Sequence, residues 1–338
     1  MGERADGATA VRADLEAPAS TGDGGDGRGS SPWRRGRVLA ALSALTALVL
    51  VGHGLVPNTP GRLGSLLESF LPWSAVPVAV LLGLALLRRS ALALVALLLP
   101  AAAWTYLFGG LLLPGPGTGP DDLVVVQHNA SDENDDPVGT ARSLAAAGPD
   151  LIALEELLPE ALPRYEKALA GRYPYHAVRG TVGLWSKHPL TGVRATAIKP
   201  AGITEPWNRG LRAAVRVGGR DVAVYVAHLP SVRVGATGLT SARRDESAGL
   251  LGRAIAAEPL ETVVLLGDLN GTVDDRGLDP LTSRLNVSAR GFAFSYPAAL
   301  PVARIDQVMA RSATVGRMRT LPATGSDHLP VLTRVTPR

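Results

Sequence analysis

At 338 residues the chain can form one large domain or two ordinary ones and can bury a sizeable core. It has no cysteine, which excludes disulfides and thiol chemistry. Its formal net charge of +4 is not concentrated: residues 121–338 hold 25 of the 34 Lys plus Arg and 23 of the 30 Asp plus Glu, a difference of +2, so no strongly basic nucleic-acid face is demanded.

Residues 1–32 are rich in Gly, Ala, Ser and Asp and cannot bury enough apolar surface to offset ordering entropy, so they read as a disordered tail. The start MGERAD lacks the Ser or Thr that a myristoylation signal places after Gly2. Residues 33–113 read as a membrane anchor with three apolar runs, about 38–56, 70–87 and 91–113. Each is about the 17 to 25 residues that cross the hydrocarbon core as a helix, and none shows a polar stripe. The first run starts too far in, and is too long, for a cleaved signal peptide. Arg34, Arg35 and Arg37 precede the first run, Arg88 and Arg89 separate the second from the third, and the intervening loop has only Arg62. The positive-inside rule then predicts a multi-pass cell-membrane protein with a cytoplasmic N-terminus and everything after residue 113 outside the cytoplasm.

A Pro/Gly linker, 114–120, leads into a soluble domain, 121–338. Its short Val/Leu-rich segments predict strands at 123–130, 150–157, 181–190, 211–217, 221–229, 262–270, 303–311 and 329–335. Helical spacing predicts helices at 139–147, 160–170 and 241–257. Near-continuous apolar strands imply sheets covered on both faces, hence a layered α/β domain.

Asn129, Glu156, His228, Asp268, Asn270, Asp306, Asp327 and His328 all fall at or beside the ends of these strands. Singly each has a bland reading, as a turn former, a capping side chain or a buried histidine. Together, carboxylates with an amide oxygen suit a hard divalent cation such as Mg²⁺ or Mn²⁺, and two histidines suit proton transfer and donation to a phosphoryl oxygen. There is no Cys, no His-Glu-x-x-His helix and no Walker-type loop, which disfavours a closed zinc site and NTP-driven chemistry. Metal-assisted phosphoester hydrolysis uses the set best.

The ordered blocks VVQHNA, ALEEL, VAHLPS, GDLN at 267–270, RID at 304–306 and SDH at 326–328 resemble the endonuclease/exonuclease/phosphatase superfamily, whose fold is deoxyribonuclease-I-like. That resemblance implies a four-layer α/β sandwich, here preceded by three transmembrane helices. It implies Glu156 as main metal ligand with Asn129 and Asp327 beside it, and Asp268 as the group that orients or deprotonates water. Asn270 would hold the phosphate or Asp268, His228 and His328 would bind and stabilise the phosphoryl oxygens, and Asp306 would support a histidine. Which imidazole acts as acid stays open. Arg212 stands where an arginine often contacts substrate phosphate, with a solvated surface arginine as the alternative. Two positions depart from the family pattern: Glu155 replaces the usual Gln and Leu269 the usual Phe. Strand alternation puts Glu155 and Glu156 on opposite faces, and the motif register selects Glu156.

The acidic run 131–136 lacks the Gly and terminal Glu of a calcium loop and reads as solvated. The reading is thus a membrane-embedded, divalent-metal-dependent phosphoric ester hydrolase, of nuclease or phosphodiesterase/phosphatase type, acting on nucleic acid, nucleotide or a phospholipid head group. No protein partner is indicated. A surface scaffold or receptor that keeps the fold without turnover is the alternative; it predicts loss of one or more site residues, and none is lost.

Overall fold

The computed structural model describes residues 36–59, 61–115, 119, 122–236 and 238–338. The predicted tail and most of the predicted linker lie outside the described residues.

The apolar third forms helices α1 (Arg37–Gly52), α2 (Leu63–Ser69), α3 (Ala75–Leu87) and α4 (Ala91–Leu112). Arg37–Leu55 and Ala91–Leu112 are each long and apolar enough to cross a membrane, spanning about 28 and 33 Å at helical rise. α4 packs on α1 and α3, and the Ser90 side chain caps it by accepting from the Ala93 N–H. The second predicted run differs. A short 3₁₀ turn, Leu71–Ser74, separates α2 from α3 with a 69° bend. Pro72 lies in that turn and has no N–H to continue a helical ladder. Among the described residues, two helices long and apolar enough to cross a membrane precede β1, or three if this bent pair counts as one.

The stretch between the first and second runs, expected to be a plain loop, is built onto the soluble part. Glu68 of α2 is buried, and its carboxylate accepts from Arg276 Nη2 at 2.6 Å and Nε at 2.9 Å, with His53 Nδ1 3.2 Å away. Arg62 pairs with Asp245. Trp73 stacks on Phe294 with centroids 5.4 Å apart and donates its Nε1–H to the Val302 carbonyl at 2.7 Å.

The soluble part runs β1 (Leu123–Asn129), α5 (Pro137–Ala146), β2 (Leu151–Glu155), α6 (Leu162–Leu169), β3 (Tyr175–Arg179), β4 (Val182–Ser186), β5 (Leu190–Ala195), β6 (Gly210–Val217) and β7 (Arg220–Ala227). A small hairpin follows, β8 (Val234–Gly235) and β9 (Gly238–Leu239), then α7 (Ala242–Ala256), β10 (Thr262–Asp268) and α8 (Asp279–Thr282). The chain ends with β11 (Asn286–Val287), β12 (Asp306–Arg311), β13 (Ala313–Val315), β14 (Arg319–Thr320) and β15 (Val331–Pro337). One sheet has the order β13-β15-β1-β2-β4-β3, with β14 also on β15; the other has the order β11-β12-β10-β7-β6-β5.

Period-two alternation divides each strand between two cores. Val125, Ala153, Val224, Val264, Leu266 and Val308 point into the space between the sheets. Val126, Ile152 and Leu154 face outward and pack under α5 and α6, while Tyr225, Val263, Leu265 and Met309 pack under α7 and α8. Helices, sheet, sheet and helices make four layers, as the sequence reading expects. The predicted strand 181–190 is two strands in different sheets, β4 and β5, because Lys187, His188 and Pro189 form the crossing between them. β3 is an edge strand with a mostly exposed pattern and carries little apolar periodicity to find it by.

Candidate active site

The inter-sheet layer turns polar at one end. Continuing the inward-facing alternation, Val125 is followed by Gln127 and Asn129, Ala153 by Glu155, Val226 by His228, and Leu266 by Asp268; Asp306 opens β12 directly opposite Asp268. These ends border a cleft of about 760 Å³ whose lining includes Asn129, Glu156, Asp268, Asn270, Asp327 and His328. His228 is buried beside it, with Nε2 3.7 Å from both Glu156 Oε1 and Asp268 Oδ2. The structure therefore brings together eight of the nine site residues that the sequence nominated.

Local backbone aims several of them. Ser131, Glu156 and Asn270 adopt left-handed φ of 62°, 56° and 47°, a region that costs a non-glycine residue on the order of 1–3 kcal/mol and clusters at functional sites. The reversal at Glu156 turns its side chain into the cleft, while Glu155 stays wholly buried between the sheets. At Gly267 any Cβ would collide with the Ala227 carbonyl oxygen, so the GDLN block needs glycine where β10 passes β7.

Asp268 is held from both sides: Asn129 Nδ2 donates to Oδ2 at 3.1 Å and the Asn270 N–H to Oδ1 at 2.9 Å. Asn270 itself is fixed by donating Nδ2 to the Leu229 carbonyl at 3.0 Å. Burial raises the Asp268 carboxyl to about 7, against the pull of His328 and with the push of Asp306. His328 Nδ1 lies 2.8 Å from Asp306 Oδ2, leaving Nε2 turned toward Asp268 Oδ2 at 3.8 Å, with the Tyr296 ring 4.8 Å away. Burial alone would disfavour the His328 imidazolium, but the Asp306 carboxylate outweighs it and, with Asp268 and Asp327, pushes it up to about 10. His228 goes the other way, down to about 3, through burial and then the positive charge of Arg209 and His328. Its Nε2 has no hydrogen-bond partner among the described residues and faces the carboxylates of the cleft.

Four contributors were not nominated from the sequence. Gln127 Nε2 donates to Glu155 Oε2 at 2.8 Å and to Asp306 Oδ1 at 3.1 Å, so it steadies the partner of His328 from behind. Its only sequence signal is its place two residues before Asn129 on the same strand face. Ser326 Oγ donates to the Asn129 carbonyl at 2.7 Å and accepts from the His328 N–H at 3.0 Å, which docks the last loop. Ser69 and Phe70, from the apolar third, also line the cleft, and nothing in their local sequence says so.

Arg212 corrects the sequence reading. It does not border the cleft: it is buried, with Nη2 and Nε on Glu258 at 2.7 and 3.0 Å and Nη1 on the Gly192 carbonyl. Tyr225 completes the pair by donating to Glu258 at 2.8 Å. Both readings of Arg212, substrate contact and solvated surface residue, give way to a buried ion pair.

Glu156 and Asp327, with the buried Asn129 between them and Asp268, bring oxygen atoms to the cleft, the donor type a hard divalent cation takes. Asp268, Asp306 and His328 also present atoms within 4.8 Å of one another, but His328 Nδ1 and Asp306 Oδ2 are bound to each other. That trio fits proton and charge handling better than metal ligation.

Glu155 explains its own departure from the family pattern. Burial, then Asp306 and Asp268, raise its carboxyl well above the usual range, so the neutral acid stands in for an amide. A raised folded-state pKa gives stability that is present below the ordinary Glu value and lost as pH rises through the raised one. Glu155→Gln is therefore expected to keep turnover and to gain thermal stability over the wild type increasingly toward alkaline pH. Melting curves at several pH values check this; a gap that stays constant with pH would contradict it.

Residues 121–328 match the endonuclease/exonuclease/phosphatase family. No curated protein matches the chain. Among solved structures, a humanized TDP2 from D. rerio is 18% identical with a TM-score of 0.53, covering 64% of this chain and 99% of its own. An endonuclease/exonuclease/phosphatase family protein from Bacteroides thetaiotaomicron is 15% identical with a TM-score of 0.54, covering 65% and 100%. A mannosyl-6-phosphatase from Bacteroides thetaiotaomicron VPI-5482 is 16% identical with a TM-score of 0.51, covering 63% and 99%. At these identities the likeness carries the fold, and the matched span carries the family. The chain belongs to the endonuclease/exonuclease/phosphatase family.

Proposed function

We propose that the chain is a divalent-cation-dependent phosphoester hydrolase anchored in the cell membrane, with its catalytic domain outside the cytoplasm. The observation that carries the chemistry is the pair of imidazoles whose Nε2 atoms lie 3.8 and 3.7 Å from one Asp268 oxygen: His328, bound to Asp306 and held cationic, and His228, kept neutral by burial, with the Asp268 carboxyl raised to about 7. Environments that push like groups apart assign acid and base roles. Asp268, oriented by Asn129 and Asn270, takes the proton from the attacking water. Water oxygen bonds to phosphorus, the P–O bond to the leaving group breaks, and His328 Nε2 steadies the charge on the phosphoryl oxygens and supplies the leaving oxygen with a proton. His228 contributes a neutral imidazole to the same oxygens. A cation at Glu156, with Asn129 and Asp327 beside it, would supply positive charge against the phosphate.

Mg²⁺ is favoured, with Mn²⁺ as substitute, because the donors are oxygens. The similarity to a mannosyl-6-phosphatase supports phosphoester chemistry without choosing the ester. The anchor reading rests on the two long apolar helices and the sidedness on the arginines flanking the runs.

The test is a panel of phosphoesters offered to the full-length protein in detergent, with chelator and with Mg²⁺ restored. Turnover that chelation removes and Mg²⁺ returns is expected. Undiminished turnover after exhaustive chelation would remove the cation from the reading, and no turnover on any ester would return it to a scaffold. Protease access to the soluble domain in intact cells checks the sidedness, and cleavage only after lysis would reverse it.

A further inference from the structure

Beside the cleft, and sharing Ser69 and Thr272 with it, lies a second cavity of about 330 Å³, at the lower end of small-molecule sites. One wall is the last two turns of α4, including Tyr106, Phe108 and Leu111; the facing wall is Val287, Phe292 and Phe294 of the catalytic domain. Asp274 and Arg304 make one polar corner. The rest is apolar.

Its depth is marked by aromatic side chains. Trp73, Trp104 and Tyr106 gather at this end of the apolar helices, where Tyr106 is 89% exposed, Phe70 44% and Trp73 38%. Tyr and Trp favour the boundary between head groups and acyl chains, where one end is wet and the other apolar. On the anchor reading the cavity therefore reaches the surface at that boundary, with a lipid-facing helix on one side and phosphoester chemistry on the other.

Charge argues in the same direction. Among the described residues lining the cleft, Arg233 is the only Lys or Arg, against Asp132, Glu133, Glu156, Asp268, Asp275 and Asp327. A nucleic acid needs a basic track for its successive phosphates, and an acidic rim repels them. A single phosphoester attached to an apolar body meets that repulsion once rather than along a strand, and it fills both spaces.

We propose that the substrate is a membrane lipid whose phosphorylated head occupies the cleft while an acyl chain enters the cavity between α4 and the Phe292–Phe294 segment. This rests on the membrane-anchored hydrolase reading. The reaction is the hydrolysis already described: water oxygen bonds to phosphorus, the ester P–O bond breaks, and the released oxygen leaves with a proton. Phe70 and Ser69 form the wall the lipid passes as its head turns from the bilayer into the cleft.

The experiment uses the full-length chain reconstituted in phospholipid vesicles with Mg²⁺. It compares long-chain phospholipids with the same head groups on a short-chain, water-soluble backbone, and with DNA. We expect at least about tenfold preference for the long-chain lipid, equivalent to about 1.4 kcal/mol of chain recognition. Ala289→Trp, which fills the cavity from its exposed rim, is expected to reduce that preference toward unity, and Ala289→Val to give an intermediate value. As a measurement independent of turnover, a phospholipid photo-crosslinker on the acyl chain should label the 287–294 segment of an Asp268→Ala protein, and unlabelled lipid should compete. Equal rates on long and short chains, a preference for DNA, or labelling confined to α1 and α4 would overturn the lipid assignment while leaving the hydrolase reading intact. No turnover on any phosphoester would overturn both.

Discussion

Asp268→Asn is expected to lower turnover by about 10² to 10⁴-fold, the usual contribution of a positioned general base, with substrate binding retained. The amide keeps the volume and still accepts the Asn270 N–H at Oδ1, so the loop stays in register. What disappears is the carboxylate held from both sides by Asn129 and Asn270. Wild-type activity should rise with pH through about 7 as Asp268 loses its proton, and that acid limb should vanish in the variant. A bound cation would pull the limb to lower pH.

Stability should move the opposite way. Because burial raises its folded-state pKa, Asp268 gives stability that is present below the ordinary Asp value and is lost as pH rises through about 7. The asparagine has no charge to strand, so the variant should melt at higher temperature than the metal-free wild type above pH 7, in line with the trade between activity and stability at active sites. A variant that loses activity and melts lower at every pH would instead make Asp268 a structural residue. Activity unchanged within threefold would remove it from the mechanism.

Much of this site was legible because a β-strand has a fixed period. Once Val224 and Val226 are read as core-facing, His228 must share their face; the same counting carries Leu266 to Asp268 and Val125 to Asn129. Alternation put Glu155 and Glu156 on opposite faces and the motif register chose Glu156; its left-handed φ is what turns the side chain into the cleft. What local pattern does not carry is pairing across distance. Arg212 and Glu258 are 46 residues apart and meet only because α7 packs over the face of the second sheet on which β6 carries Arg212 beside Tyr225. The docking of α2 is similar: Glu68 stands in a leucine-rich stretch, and its partner Arg276 is 208 residues away. A lone acid among apolar residues is a signal that something must neutralise it, but not what. The break before α3 was readable in Pro72 and was masked by the continuity of apolar residues around it.

His328→Ala is expected to cost about 10² to 10³-fold in turnover, as a lost acid and oxyanion donor does. Asp306→Asn is expected to cost about tenfold or more, although Asp306 faces Gln127 and His328 rather than the cleft. The two should not add. Asp306 acts through the imidazole it holds, so once His328 is gone its removal should have little left to change, and the double variant should resemble His328→Ala. The pH profile separates this from a packing effect. His328 serves as a cation, so wild-type activity should fall as pH rises through about 10. Replacing the Asp306 carboxylate removes the largest influence raising that value, and an opposite charge at this distance is worth 1 to 3 pH units, so the alkaline limb of Asp306→Asn should shift to lower pH by at least about one unit. For stability the sign is that of a raised histidine: the contribution is full below the unfolded value near 6.5 and fades as pH climbs toward 10, so the melting penalty of Asp306→Asn should be largest in mild acid. An unmoved alkaline limb, or strictly additive losses in the double variant, would show that Asp306 braces the fold rather than tuning His328.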